Sequence, residues 1–303
     1  MKILITGASG YIGKHVVREF LQNNHEVYAC DLSLKNFIED FKSYKDSLKC
    51  IQKDIFSSNK IDFNDYGSPD ILVHLAWQNG FFHNSESHIE SIYKHFCFIR
   101  NMVDSGIKYI TIMGSMHEIG YWEGKIDENT PCRPQSFYGI AKNALREIVS
   151  VYVENKPVNF HWLRAFYITG DDFHNNSIFT KLLKSSIDGC NKFPFTSGKN
   201  KYDFIDIREL AKMIYASSVQ DKVNGVINVC SGKPVSLIEK VRSFILEHNL
   251  DIELEVGAYP ERKYDSPIVY GCTKKIEKII CNSKNNLCAE GKKCESIKNS
   301  IVE

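Results

Sequence analysis

The sequence has no apolar run long enough to cross a bilayer, so a membrane-embedded chain is not expected. It has almost no charge excess: 38 Lys and Arg against 37 Asp and Glu leave +1 at neutral pH. That balance offers no basic stripe for nucleic acid and no field toward an anionic membrane. No Cys-x-x-Cys occurs, and the cysteine spacings fit no zinc site, so no metal is expected. No secretory leader is read, because Lys2-Ile3-Leu4-Ile5 already has the character of a first buried strand. No segment repeats. These absences leave the expectation of a cytoplasmic globular protein.

Cysteine itself is not scarce. Ten occur, at 30, 50, 97, 132, 190, 230, 272, 281, 288 and 294. Most have apolar neighbours, as Cys230 does in Val-Ile-Asn-Val-Cys, and read as reduced, buried thiols of a cytoplasmic protein. Cys281, Cys288 and Cys294 stand in a less regular tail and are candidates for the surface.

A chain of 303 residues, 43% hydrophobic and 25% charged, holds one large α/β unit or two packed ones. The first half alternates short apolar runs with helix-period stripes, the signature of a parallel sheet with crossover helices. Strands are expected at Ile3–Thr6, Glu26–Cys30, Leu48–Gln52, Asp70–Leu75, Tyr109–Met113 and Asn159–Ala165. A helix over 86–105 should carry Ile89, Tyr93, Phe96 and Val103 on one side, and a second runs over Gly139–Val153. The pattern loosens over 167–202. It returns with Asp203–Ile207, a helix at Arg208–Ser217, a strand at Val226–Cys230, a helix at Leu237–His248 and an edge strand over Leu250–Gly257. The fold class is therefore α/β: a Rossmann-type doubly wound parallel sheet, with a smaller mixed α/β substrate domain toward the C-terminus. Residues 1–165 with about 203–232 would form the nucleotide-binding domain. About 166–202 and 233–303 would form the smaller one, with Cys294, Ile297 and Ile301 in a short amphipathic helix.

Residues 6–13 read Thr-Gly-Ala-Ser-Gly-Tyr-Ile-Gly between the first strand and a helix. That is where a dinucleotide-binding turn belongs. Gly7 permits the tight turn, Gly10 lets the backbone approach a pyrophosphate, and Gly13 lets the helix pack on the sheet. Tyr11 and Ile12 open that helix, whose N-terminus favours phosphate. Asp31 ends the second strand, 18 residues after Gly13. A carboxylate there binds ribose hydroxyls and repels a 2′-phosphate, favouring NAD(H), with NADP(H) left open through Lys35. Asp54 and Ile55 follow the third strand; Asp54 reads equally as an adenine neighbour or as a loop cap.

Tyr138 and Lys142 stand four apart in Phe-Tyr-Gly-Ile-Ala-Lys, on one face if the segment is helical. A nearby ammonium should lower the tyrosine pKa toward acid/base work near neutral pH. Tyr-x-x-x-Lys alone is a common coincidence; after the glycine turn it gains weight.

With these motifs together, the sequence resembles the extended short-chain dehydrogenase/reductase family, the NAD-dependent epimerase/dehydratase group acting on nucleotide sugars. The resemblance extends to about residue 280. Thr6–Gly13 matches the cofactor turn, and His74-Leu75-Ala76 resembles the motif beside the nicotinamide ribose. Gly114-Ser115-Met116-His117-Glu118-Ile119-Gly120 is similar to Ser-Ser-x-x-Val-Tyr-Gly, and Glu128 to Lys142 to Glu…Pro…Tyr-Gly-x-x-Lys. Leu163–Phe166 and Asp203–Asp206 match later landmarks. The resemblance implies that Tyr138 exchanges a proton with the sugar oxygen, Lys142 tunes it and binds the nicotinamide ribose, and Ser115 holds the reacting carbonyl. Arg262, with Asp265, resembles an element that contacts the substrate diphosphate. Trp77, Met116 and His117 are further substrate-side candidates, as are Gln78, Tyr121 and Trp122 after strand ends.

Departures from the family pattern narrow the reaction. Its dehydratases place Asp-Glu after the serine; here stand Met116 and His117, and methionine cannot carry a proton. Epimerases often have Asn where Tyr167 stands and Arg where Tyr202 stands. The Gly-Ser-Met-His-Glu segment and residues 229–237 look more like bacterial dTDP-4-keto-6-deoxysugar reductases forming the 6-deoxy-talose or fucose derivative. Reduction at C4 of a nucleotide-linked 4-keto-6-deoxyhexose is therefore the leading expectation, with epimerisation and a non-catalytic NAD(P)-binding regulator as alternatives. His117 has two readings, acid/base or simple hydrogen-bonding partner. The resemblance also implies a homodimer, since the helices at 86–105 and 139–153 carry apolar residues on more than one face.

Overall fold

The structure, a computed structural model, describes residues 1–170, 177–261 and 266–289, without the side chains of 284–289. Arg262, Asp265, Cys294, Ile297 and Ile301, and the side chain of Cys288, lie outside the described residues.

The first half alternates as its pattern demands: β1 (Lys2–Thr6), α1 (Tyr11–Gln22), β2 (Glu26–Asp31), a short α2 (Lys35–Asp40), β3 (Leu48–Gln52), β4 (Ile71–His74), α3 (Ser87–Asp104) and β5 (Tyr109–Ser115). A 3₁₀ turn at Met116–Glu118 leads to β6 (Gly124–Ile126), α4 (Phe137–Val153), β7 (Asn159–Ala165) and β8 (Tyr167–Thr169). Then come α5 (Ile178–Ile187), β9 (Lys192–Phe195), β10 (Lys201–Asp206), α6 (Ile207–Ser218), β11 (Gly225–Val229), β12 (Pro234–Ser236), α7 (Leu237–Glu247), β13 (Glu253–Val256), β14 (Ile268–Gly271) and α8 (Lys274–Ala289).

Seven strands form one parallel sheet in the order β11-β7-β5-β4-β1-β2-β3. Its central strands are unbroken apolar runs because both faces are covered. Ile3 and Ile5 pack with Val16, Val17 and Phe20 of α1 and Leu210 and Ile214 of α6. Leu4 and Leu72 pack on the other side with Phe98 and Ile99 of α3 and Leu145 and Val149 of α4. The strand order reverses between β1 and β4, which opens a crevice at their C-terminal ends.

A smaller sheet, β12-β10-β14-β6 with β8 beside β10, stands over that end, and β9 pairs parallel with β13. Two boundaries differ from the sequence expectation. β10 belongs to this smaller sheet rather than the main one. Its buried Asp203 accepts hydrogen bonds from the Ser231 N–H and hydroxyl and from the Gly232 and Gly271 N–H groups, fastening the junction. The C-terminal α8 returns to the main unit, because Ile276 and Ile279 lie in its core.

The inward face of α3 also differs. Of the expected side, Ile89 and Tyr93 are exposed, whereas Val103 is buried and Phe96 packs against the core; His88, His95, Phe98, Ile99 and Met102 are buried beside them. A helical period locates a stripe but not which stripe faces the sheet, and here two histidines find polar partners inside. The cysteines are less uniformly buried than expected: Cys30, Cys97 and Cys230 are buried, whereas Cys50 and Cys190 are exposed; Cys281 is exposed, as expected of the tail. Among the described residues no helix is long and apolar enough to cross a membrane, and no cluster of His, Cys, Asp or Glu is placed to hold a metal.

Candidate active site

The turn after β1 is shaped by its glycines. Gly7 has φ +69°, and a Cβ there would meet the Ala76 backbone N at 2.7 Å. A Cβ at Gly13 would lie 2.1 Å from the Gly7 carbonyl oxygen, so only glycine lets α1 start this close to the turn. The first turn of α1 has neither a side-chain cap nor an acidic residue, which leaves its dipole for an anion. Beyond it opens a cavity of about 240 Å³ lined by Gly7, Gly10, Asp31, Asp54, Ile55, Leu75, Ala76 and Trp77, among others. Asp31 stands at its rim. One carboxylate oxygen accepts from the Ser9 N–H (2.9 Å) and hydroxyl (2.8 Å), and the other from the Leu32 N–H (2.8 Å). Asp54 accepts from the Phe56 N–H at 2.9 Å, so its side chain caps its own loop while the residue also lines the cavity. A glycine cradle, a helix N-terminus and the Asp31 carboxylate on one cavity fit NAD.

Ser115 ends β5 and Tyr138 lies in the first turn of α4, which begins at Phe137 because the Ser136 hydroxyl accepts from the Gly139 N–H. The two elements bring the Ser115 hydroxyl, which accepts from the His117 N–H at 3.3 Å, to the Tyr138 phenol. Lys142, one turn on, is buried; its ammonium donates to the Met113 carbonyl (2.7 Å) and lies 3.7 Å from the centre of a Trp77 ring.

The electrostatics correct the expectation for this pair. Tyr138 is pushed up to about 12, chiefly by burial, with Ser115 opposing and Glu118 adding. Lys142 is pushed down to about 7 by burial, with Glu118 opposing. Enclosure disfavours both charged forms, and that outweighs the mutual help the spacing suggested. At neutral pH the phenol holds its proton.

Five histidines surround the pair. His74 bonds the Thr6 hydroxyl (2.8 Å) and His95 (2.8 Å) through its two ring nitrogens. Burial lowers its pKa to about 3, with Lys142 adding. His83 stacks on the Tyr138 ring (5.1 Å between centroids, 12°), and its carbonyl accepts from the Tyr138 N–H (2.8 Å). His117 meets His83 edge-on at 4.4 Å and is lowered to about 4 by burial, then by His83. His88 accepts from the Trp77 indole N–H at 3.1 Å. Trp77 also stacks on His95 (4.4 Å, 13°). It thus stands between the cofactor cavity and Tyr138 rather than on a separate sugar surface.

Met116 requires a correction. It is buried among Ile119, Ile126, Phe166 and Val269 beneath the smaller sheet, so it supports the turn instead of facing a substrate. Tyr167 and Tyr202 pack ring to ring, 4.3 Å between centroids and tilted by 30°.

The sequence pattern of the NAD dependent epimerase/dehydratase family matches residues 3–230. The chain belongs to this family. It is 44% identical over 275 residues to the dTDP-6-deoxy-L-talose 4-dehydrogenase (NAD(+)) of Aggregatibacter actinomycetemcomitans, covering 89% of this chain and 99% of that protein. It is 22% identical to the dTDP-4-dehydro-6-deoxyglucose reductase of Escherichia coli, over 84% of each. Among solved structures, the UDP-glucose-4-epimerase of Stenotrophomonas maltophila, with bound NAD and formylated UDP-arabinopyranose, superposes with a TM-score of 0.82 at 16% identity, over 93% of this chain and 92% of that one. At that identity the likeness is one of fold.

Set against the family pattern, sequence reasoning passed over His83, His95, Glu118 and Trp162. Glu118 was visible as a charge where the family segment has valine. His83 left no signal, because the loop before α3 has no periodicity to read.

Proposed function

We propose that this protein interconverts a dTDP-linked 4-keto-6-deoxyhexose and its 4-hydroxy form with NAD(H). The observation that carries the reading is the gathering of Ser115, Tyr138 and buried Lys142 beside Trp77, which lines the glycine-cradled cavity. When bound, NAD supplies or accepts the hydride. Ser115 holds the sugar O4, and Tyr138 donates the proton that O4 needs on reduction. A phenol that keeps its proton at neutral pH suits that direction; oxidation runs the same path backward with Tyr138 as base. Lys142 carries the charge beside the ribose hydroxyls, and Asp31 selects the cofactor without a 2′-phosphate. The first-named relative, a 4-dehydrogenase using NAD(+), supports both the sugar class and the cofactor. The crevice between the two sheets takes the nucleotide sugar, and Arg262 serves its diphosphate. His117 is a hydrogen-bonding partner of the substrate.

The same reading includes a homodimer. Ile89 and Tyr93 of α3 and Phe137, Ile140, Ile148 and Val151 of α4 are exposed on adjacent packed helices, a surface suited to a second copy.

The test is NADH and NADPH oxidation with a panel of dTDP- and UDP-linked 4-keto-6-deoxy sugars, beside Tyr138→Phe. Turnover with a dTDP sugar, lost in the variant while NAD binding persists, is expected. No oxidation with any, together with interconversion of UDP-hexoses, would replace this reading with epimerisation.

A further inference from the structure

Nothing in hydride or proton transfer asks for a carboxylate at position 118, yet Glu118 is completely buried. A buried carboxylate is costly unless charges and hydrogen bonds offset it, so its partners are informative. Oε1 accepts the Ser115 N–H at 2.7 Å and the Trp162 indole N–H at 2.9 Å; Oε2 lies 3.0 Å from the same indole nitrogen. Two guanidinium groups stand behind Oε2, Arg164 Nη2 at 3.6 Å and Arg146 Nε at 3.7 Å. Both Nε atoms are buried without a hydrogen-bond partner, so what they give Glu118 is charge.

The origin of these partners matters more than their number. Arg164 comes from β7 and Arg146 from α4. On α4, Tyr138, Lys142 and Arg146 are spaced i, i+4 and i+8, and so share one face. Glu118 therefore links the backbone of Ser115 to the helix face that carries Tyr138 and Lys142. Space for this exists only because position 114 is glycine: a Cβ there would lie 2.6 Å from Glu118 Oε1.

We propose that Glu118 is a positioning residue, a buried bracket that fixes the Ser115 turn against the Tyr138 face of α4. It touches no reacting atom and acts through the Ser115 N–H and the Arg146 guanidinium. This rests on the reading of Ser115, Tyr138 and Lys142 given above. Its charge has a second effect, opposing the loss of the Lys142 proton and raising the Tyr138 phenol. The other titratable groups around Tyr138 and Lys142 are His74 on β4, His83 on the following loop, His88 and His95 on α3, and His117 on the turn; Arg146, Arg164 and Cys132 face Glu118 itself. His74, His95 and His117 are lowered by burial, so an activity limb above neutral pH belongs to the Tyr138–Lys142 pair.

The experiment compares Glu118→Gln, Arg146→Gln, the double variant and Tyr138→Phe for Tm, NAD affinity, KM, kcat and the pH profile of kcat. Glutamine keeps an acceptor for the Ser115 N–H and removes the charge. Glu118→Gln should hold its fold and NAD affinity, lose about 100-fold in kcat from misplacement on the order of 1 Å, and shift the limb to lower pH. Arg146→Gln should also lose kcat, and the double variant should fall no further than Glu118→Gln. Multiplying losses, or wild-type kcat and pH limb in Glu118→Gln, would overturn the bracket. If Glu118→Gln does not fold, Arg146→Gln decides alone, its lowered kcat with intact NAD affinity supporting the bracket and a wild-type kcat removing it. Normal turnover by Tyr138→Phe would instead sink the underlying site reading, whatever Glu118 does.

Discussion

Replacing Gly114 with alanine adds one methyl group, and the structure says where it goes. The new Cβ would sit 2.1 Å from Trp162 Nε1 and 2.6 Å from Glu118 Oε1, where ordinary contacts begin at 3.4 Å. The indole must retreat by more than about 1 Å, out of reach of the carboxylate it now meets at 2.9 and 3.0 Å. An orphaned buried N–H costs about 1–3 kcal/mol, and an overpacked methyl about 1–3 kcal/mol more. The loss is then about 2–6 kcal/mol, or a Tm lower by roughly 4–24 °C at about 2–4 °C per kcal/mol. Serine, which the family pattern has at this position, should do at least as much harm. Thermal melts followed by circular dichroism give the number. Pairing the change with Trp162→Phe should recover part of it, because the smaller ring vacates the space and removes the orphaned N–H. A Gly114→Ala protein melting within about 2 °C of wild type, with unchanged kcat, would refute the account of this packing.

Three other outcomes follow. Wild type should prefer NADH over NADPH by more than about 100-fold in kcat/KM, since a phosphate about 4 Å from the Asp31 carboxylate meets roughly 4 kcal/mol of repulsion per charge pair; Asp31→Ser should collapse that ratio, and equal use of both cofactors by wild type would contradict the role. Burial lowers His74 to about 3 and His117 and His161 to about 4, and lowers His95 as well. The unfolded chain therefore takes up protons that the folded one refuses: the penalty from these histidines is absent above about pH 6.5 and grows as pH drops toward 4, by about 1.4 kcal/mol per pH unit for each histidine titrating. Urea midpoints unchanged between pH 7.5 and pH 5 would rule this out. Val151→Glu, on the exposed stripe of α4, should convert a dimer to monomer in sedimentation velocity, and a monomeric wild type would remove the dimer proposal.

The legible part of this protein was local. Ile3–Thr6, Glu26–Cys30 and Asp70–Leu75 could be read as buried parallel strands because continuous apolar runs between turn residues have few other uses. Gly7 and Gly13 could be read because a positive φ and a 2.1 Å approach to a carbonyl leave no alternative to glycine. Tyr138 and Lys142 share a face by helix geometry alone. The expectations that failed concerned direction or environment. The stripe of Ile89, Tyr93, Phe96 and Val103 is split, its N-terminal half exposed and its C-terminal half in the core. Lys142 was expected to lower the Tyr138 pKa, but burial raises it.

The sequence by itself determined a doubly wound sheet, a dinucleotide turn, and the residues of the proposed hydride-transfer site. The tertiary structure alone decided how that site is held. It brought His83 across a patternless loop onto the Tyr138 ring, moved β10 into the smaller sheet, and buried Glu118 between Ser115, Trp162, Arg146 and Arg164. Periodicity records only neighbours along one element. These contacts join residues far apart in the chain, and their strength depends on the water they exclude.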